Sequence, residues 1–574
     1  MMMLPPIYTE KSECQDCYKC LRECPIKAIK VQGGFASVMP ESCVYCGHCV
    51  EVCPSGAKHV RNDINAARRL LAETPKVIVS LAPSFVSEFT AFRPEQMIAG
   101  LRRLGFYGVS ETALGAQQVS LHVRLEIEKR HQKLLFSSAC PTAVDYVRKY
   151  HPGHAGKLVN LLSPVLSHCK MLRRKYGEEI GIVFVGPCIA KKGEADRHRE
   201  LLDVALTFEE LRQWFEQEDI RPEEMIPDAG DDRFIPEEAR EGALYPIEGG
   251  MSAAVRANSP TDARFMSFSG LTNIRHALGE MHDWEPDKDI FVELLACHGG
   301  CINGPKAHRA CGTVRKRYEV INFAKPATLG EKSPVVSIKE LGAGDAVKRP
   351  EYTEAQIREA LRLVGKRSAA DEKNCGGCGY DRCREFARAL LENKAERMMC
   401  ATYMRQLAQK KASALMMKMP SAALMVNEQL RIIECNQRFR SMFADELAVA
   451  HAIEVTDDQL LSAIVPFHRL FQRVLETGED ILARDIRFRG SILHCNIFVI
   501  EPSAVIGAIL QDITQSTMQK EQIIARAQEV IQKNLTTVQK IAYLLGENAA
   551  ESEATLNSIV ESFSMKESED DVQR

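Results

Sequence analysis

Residues 14–25 read Cys14-x-x-Cys17-x-x-Cys20-x-x-x-Cys24-Pro25, and residues 43–54 repeat the pattern as Cys43-x-x-Cys46-x-x-Cys49-x-x-x-Cys53-Pro54. Eight of the 20 cysteines therefore fall before residue 54, in a duplicated spacing that obliges the chain to bring thiols together. What they bind depends on the compartment. No uninterrupted apolar run reaches about 18 residues, and the start MMMLPPIYTEKSEC lacks the apolar core and cleavage pattern of a secretory signal, so a cytoplasmic location is expected. Thiols stay reduced there, which makes metal binding a better default than a disulfide framework. A net charge of -3 and 45% hydrophobic residues read as globular and soluble, with no basic excess for nucleic acid or a membrane surface. At 574 residues the chain should form roughly three to five domains.

The duplicated run resembles the bacterial two-cluster ferredoxins, in which three close cysteines hold one cluster and the fourth, before proline, ligates the other. The resemblance implies one 4Fe-4S cluster on Cys14, Cys17, Cys20 and Cys53 and a second on Cys43, Cys46, Cys49 and Cys24, in a domain spanning 1–62. Paired zinc knuckles are the competing reading. Two neighbouring clusters would serve electron transfer.

After a polar, Arg-bearing segment at 61–75, the β-branched run Val77 to Pro83 reads as a buried strand opening a domain at 75–330. Helical and strand-like runs then alternate, which predicts α/β layers with a parallel sheet and a site on loops at strand ends. Three of the strand-like runs end in cysteine. Lys133 to Ala139 leads to Cys140-Pro141, Ile180 to Val185 leads to Gly186-Pro187-Cys188-Ile189-Ala190-Lys191-Lys192-Gly193-Glu194, and Phe291 to Ala296 leads to Cys297-His298-Gly299-Gly300-Cys301. A lone cysteine is more often a small buried hydrophobe than a ligand. Four on three loops can complete a four-thiolate site, and the glycines between the last two allow close backbone approach.

These loops resemble the signature motifs of iron-only (FeFe) hydrogenases, with Ala82-Pro83, Leu114-Gly115-Ala116 and Gly249-Gly250-Met251-Ser252-Ala253-Ala254 in support. The resemblance implies a 4Fe-4S cluster on Cys140, Cys188, Cys297 and Cys301, with Cys301 bridging to a two-iron unit that carries carbonyl and cyanide ligands. Lys191 stands at the position of a donor to the cyanides, and Glu194 at that of its orienting acid. The departures concern protons. Catalytic members usually have two adjacent cysteines in the first loop, the first a proton shuttle; here Ala139 precedes Cys140. Val123 falls where the family has a relay glutamate, while Glu126 keeps the second acidic position. Thr142-Ala143 replace a Gly-Trp pair and Gly186 a methionine. A positioned acid or base contributes about 10²- to 10⁴-fold to rate, so the expectation is a slow enzyme with its centre retained.

Residues 331–370 read as a charged connector. In 371–415, Cys375-x-x-Cys378-x-x-x-x-Cys383 and Cys400 resemble a small 4Fe-4S module known from corrinoid proteins and sensor fusions, with zinc as the competing metal. Residues 420–514, with a strand–turn–strand start, Asn436 as a helix cap and the ending Gln511-Asp512-Ile513-Thr514, resemble a PAS domain, a sensor and dimerisation module. Ile524, Ile531, Val538 and Leu545 recur every seven residues, predicting a coiled coil or helical hairpin at 515–564, before a disordered tail at 565–574.

The whole reads as a multidomain α/β and α+β protein: a sensory iron-only hydrogenase-like chain of low turnover, handling hydrogen and protons, exchanging electrons with a partner such as ferredoxin and signalling to a downstream protein, in a homodimeric form if the PAS segment pairs. The alternatives are a redox-sensing electron-transfer protein that never loads the two-iron unit, and a metabolic ferredoxin-linked hydrogenase.

Overall fold

The computed structural model describes residues 4–513 except 130–132, 229, 258–261, 283, 309–311, 328–333, 340–345, 349 and 451–459, together with 528–534 and 537. The chain divides into two compact units, Met1–Cys400 and Ala401–Arg574.

In the first unit, four short strands frame the cysteine-rich start: β1 (Ile7–Thr9), β2 (Ile29–Val31), β3 (Ala36–Val38) and β4 (Lys58–Val60). They pair antiparallel as β1 with β4 and β2 with β3. The duplication is visible in the backbone. Each cysteine run turns into a five-residue helix, Lys19–Glu23 and His48–Val52, through a left-handed residue, Tyr18 at φ 57° and Gly47 at φ 81°.

Seven further strands follow: β5 (Val77–Leu81), β6 (Gly108–Glu111), β7 (Leu134–Phe136), β8 (Gly181–Gly186), β9 (Val204–Thr207), β10 (Arg264–Ser269) and β11 (Ile290–Leu295). They form two parallel sheets, β6-β5-β8-β9 and β10-β11-β7, where the sequence led us to expect one. Periodicity identifies strands but not their distant partners. Every residue of β5, β8 and β11 is buried, as helices on both faces of a parallel sheet require, whereas β10 is an edge strand with exposed Arg264 and Met266. Of the connector, Ile338 is fully buried in the core of this domain, and Leu162 N–H donates to its carbonyl at 2.8 Å. The helix Glu354–Arg362, capped by Thr353, instead packs Ile357 and Leu361 against Cys383 and Ala387.

A buried ionic network joins the N-terminal segment to the α/β domain. Lys192 Nζ, with no exposed side-chain surface, donates to Asp63 at 2.9 Å, Glu210 at 2.8 Å and the Ala205 carbonyl at 3.0 Å. Arg61 spans Asp63 and Asp196 beside it.

The second unit begins with the helix Ala401–Lys418, so the division at Cys400 lies inside the 371–415 segment. Strands β12 (Ala422–Asn427), β13 (Ile432–Cys435), β14 (Ile481–Phe488), β15 (Ser491–Glu501) and β16 (Val505–Asp512) make one antiparallel sheet in the order β13-β12-β16-β15-β14. Asn436 is buried and caps the helix Gln437–Met442, its Oδ1 accepting from Phe439 N–H at 2.9 Å. Phe439, Phe443, Phe471 and Val474 cover the inner face. The expected coiled coil at 515–564 and tail at 565–574 lie outside the described residues, save 528–534 and 537, which are helical. Among the described residues no helix is long and apolar enough to cross a membrane.

Candidate metal centre

Strands β7 and β11 are neighbours in one sheet and β8 belongs to the other, and the loops after their C-terminal ends bring cysteines from both sheets together. Cys140 follows β7 and caps the helix Pro141–Tyr150. Cys188 follows β8, and Cys297 and Cys301 follow β11. The four sulfurs stand within electrostatic reach of one another, Cys297 sensing Cys301, Cys188 and Cys140. Burial is the main cause that pushes all four thiols up, Cys188 to about 11. Buried thiols ionise only against a compensating cation, and bound iron supplies one.

The turn between the last two cysteines depends on glycine. Gly299 and Gly300 have φ of 73° and 105°, and a Cβ on Gly300 would stand 2.3 Å from the Pro246 carbonyl oxygen. Beside the quartet, the buried Lys191 ammonium donates to Ser163 Oγ at 3.0 Å and Glu194 Oε2 at 2.5 Å. It also acts electrostatically on Cys140, Cys188 and Cys301. Lys191 and Glu194 thus form one unit at the rim of the cysteine site.

The positions at which the resemblance implies proton carriers look different. Ala139 is half-buried against the apolar core, Val123 is fully buried, and Glu126 turns to Lys129 at 2.5 Å. At Gly186 a Cβ would lie 2.5 Å from Phe184 Cζ, so the Phe184 ring fills the space a larger residue would need.

Sequence reasoning passed over Glu293. It is buried on β11 and accepts from Ser252 N–H at 3.1 Å, Ser252 Oγ at 2.9 Å and Ser267 Oγ at 3.2 Å. Burial raises its pKa, opposed by those hydrogen bonds. A carboxylate inside an otherwise apolar strand run was the signal available. Lys192 was hidden by its neighbour Lys191, which the motif makes prominent.

In the N-terminal segment, Cys20 senses Cys17, Cys14 and Cys53, while Cys24 acts on Cys43, Cys46 and Cys49. The fourth cysteine of each run therefore sits with the other run's triplet. Burial pushes Cys20 to about 11 and Cys43 and Cys46 to about 12. Burial also opposes ionisation of Cys53, but hydrogen bonds from Ser55 and nearby backbone hold that thiol below its ordinary value. The second group faces the α/β domain. Cys46 and Cys140 pack against one apolar cluster, Cys297 senses Cys46, and a Cβ on Gly47 would stand 2.4 Å from Pro305.

In the third segment the helix Cys383–Leu391 stops short, and the chain reverses through the turn Arg397–Met399 to return Cys400. Cys378 senses Cys400 and Cys375, and burial pushes its thiol to about 11. Asn374 fixes Cys383, donating N–H to its sulfur at 3.4 Å and accepting its N–H on Oδ1 at 2.8 Å. This segment is docked on the first. Val31 N–H donates to the Lys394 carbonyl at 2.9 Å, Gly33 N–H donates to Glu396 at 2.6 Å, and Gly379 packs on Leu21. Tyr380 senses Cys24. Among the described residues no three His, Cys, Asp or Glu converge at single-ion spacing.

Residues 75–305 match the family described as iron only hydrogenase large subunit, C-terminal domain, residues 6–54 match a 4Fe-4S dicluster domain, and residues 371–402 match an Fe-S cluster family. The chain is a hydrogenase-like iron-sulfur protein, and it is related to the FeFe hydrogenases. It is 25% identical over 294 residues to Iron hydrogenase 1 of Clostridium pasteurianum, covering 43% of this chain and 51% of that one. It is also 25% identical over 361 residues to the NADP-reducing hydrogenase subunit HndD of Solidesulfovibrio fructosivorans, covering 51% of this chain and 62% of that one. The chain thus spans between half and two thirds of these relatives. A solved variant of the FeFe-hydrogenase HydA1 from Chlamydomonas reinhardtii is 22% identical, with a TM-score of 0.39, covering 46% of this chain and 90% of that one.

Proposed function

We propose that this chain is a sensory FeFe hydrogenase, in which hydrogen or redox state is sampled at a centre on Cys140, Cys188, Cys297 and Cys301 and reported through clusters to the second unit. The observation that carries the reading is the pairing of a complete cysteine and Lys191–Glu194 site with Ala139 and Val123 at the positions where protons would be handled. The donor set fits the group the family implies: four buried cysteines, with an ammonium oriented by Ser163 and Glu194 toward their rim. When bound, the two-iron unit supplies reversible hydrogen oxidation and proton reduction.

The protein's own contribution follows from its residues. Cys301 would hold the iron pair to the cluster, and Lys191, fixed by Glu194, would donate to an anionic ligand of that pair. Ala139 holds no proton, so delivery to the centre is slow. Electrons would pass between the centre and the cluster on Cys24, Cys43, Cys46 and Cys49, which meets it at Cys46, and onward to the clusters on Cys14, Cys17, Cys20 and Cys53 and on Cys375, Cys378, Cys383 and Cys400. The sheet order β13-β12-β16-β15-β14 with a helix-covered face supports a PAS-like second unit, which would engage a downstream signalling protein or a second copy. A ferredoxin-like protein is the proposed redox partner and the cytoplasm the proposed site.

Infrared spectroscopy of protein produced with the maturation machinery tests this. Carbonyl and cyanide bands are expected, lost in Cys301→Ala, together with hydrogen turnover well below that of metabolic hydrogenases. Cluster signals without those bands would leave the redox-sensing electron-transfer reading, and fast turnover would leave the metabolic one.

A further inference from the structure

The 371–402 segment is seated on the first cysteine run by contacts of several kinds. Beside β2, Val31 N–H donates to the Lys394 carbonyl at 2.9 Å. In the turn between β2 and β3, Gly33 N–H donates to the Glu396 carboxylate at 2.6 Å, a bond that the charge of its acceptor strengthens. Lys27 Nζ donates to the Leu21 and Arg22 carbonyls at 3.3 and 2.9 Å, near the end of the helix Lys19–Glu23, and stands 3.9 Å from Asp381. One contact requires glycine. Gly379 has φ 91°, and a Cβ built there would stand 2.9 Å from Leu21 Cγ and Cδ2. Leu21 is 0% and Tyr380 6% exposed, so the seam is closed to water at these two side chains.

The two N-terminal cysteine groups are placed differently toward this segment. Tyr380 lies within electrostatic reach of Cys378, in its own group, and of Cys24, the cysteine that sits with Cys43, Cys46 and Cys49. Toward the other group the segment presents Glu396, an anion that acts on Asp16 and Tyr18. We propose that Tyr380 and the Gly379–Leu21 contact join the third cysteine group directly to the second. The second group is then a fork, with one arm to the centre through Cys46, one to the first group and one to the 371–402 segment. An electron leaving the centre reaches the third group in two steps, without crossing Cys14, Cys17, Cys20 and Cys53.

The fork rests on the proposed loading of these groups with 4Fe-4S clusters and adds to it the order in which they connect. Each step oxidises one cluster by one electron and reduces its neighbour by one, with no bond made or broken. Electron transfer falls steeply with distance and is faster through packed side chains than across solvent, so a buried ring between two thiolates is the favoured route. The arm ends at Cys400, the last residue of the first unit and the next in sequence to the helix Ala401–Lys418.

The test uses the full chain with its 4Fe-4S clusters reconstituted and no two-iron unit, reduced with dithionite and read by pulsed electron paramagnetic resonance. Ser55→Ala removes a hydroxyl 3.6 Å from the Cys53 sulfur and so identifies the first cluster by a shift of its potential. The other N-terminal signal, that of the second cluster, should be split and relax faster once the third cluster is also reduced, and should lose both effects in Cys383→Ala. Tyr380→Ala should shrink the splitting with iron content unchanged, and Tyr380→Phe should keep it. Coupling of the third cluster to the Ser55-identified signal alone, coupling to neither signal, or an unchanged splitting in Tyr380→Ala overturns the proposal. The first two outcomes are read without removing any cysteine, so they decide even if Cys383→Ala misfolds. Carbonyl and cyanide bands in matured protein without this coupling would overturn the fork and keep the hydrogenase reading, whereas coupling without those bands would do the reverse.

Discussion

Ala139 precedes Cys140 at the position to which the proposed reading assigns a proton-carrying thiol, and its methyl group is half-buried against apolar neighbours. Ala139→Cys puts a titratable sulfur there in a residue of similar bulk. Hydrogen turnover of the matured variant should rise toward the roughly 10²- to 10⁴-fold that a positioned acid or base contributes, with Val123→Glu needed for the full gain. An unchanged rate in both single and double variants, measured by hydrogen-dependent dye reduction, would place the slow step elsewhere. At this scale the sequence was most legible. Cysteine spacings are local, so Cys20 with Cys53 and Cys24 with Cys43 could be anticipated from the duplicated pattern and are found within reach of each other. Glu293 was not anticipated, because its partners Ser252 and Ser267 are set by folding.

Among elements, the strands were readable and their arrangement was not. The buried runs at Val77, Ile180 and Phe291 are strands as expected, but β7, β10 and β11 separate from the sheet of β5, because pairing is decided by long-range packing that no run records. The same holds for the seam around Lys192, where Asp63 and Glu210, from two distant segments, neutralise one ammonium. Lys192→Met would leave Asp63 and Glu210 buried without their cation. A loss of about 3–5 kcal/mol is expected, seen as a lower urea midpoint for the first unit with iron content unchanged in native buffer. A midpoint equal to the parent's would mean that Arg61 alone suffices.

For the molecule as a whole, the docking of Gly47 on Pro305 would place the proposed electron-donating cluster beside the proposed centre. Reduction of the centre from the N-terminal clusters should then be first order, with a rate in stopped-flow absorbance unaffected by protein dilution or by added salt, unlike a diffusional encounter between charged partners. A rate that falls with dilution would mean electrons travel between chains. The crossing of Cys24 and Cys53 carries one more consequence. The two halves of the N-terminal segment look like a spare and its original, yet each seats its fourth cysteine with the other's triplet, so neither is a backup. Cys17 is exposed, so on the proposed reading oxidative loss of its cluster would release Cys53 and, with it, the end of the helix His48–Val52 that carries Cys49. The two proposed clusters would then fail together, an all-or-none fuse ahead of the proposed centre.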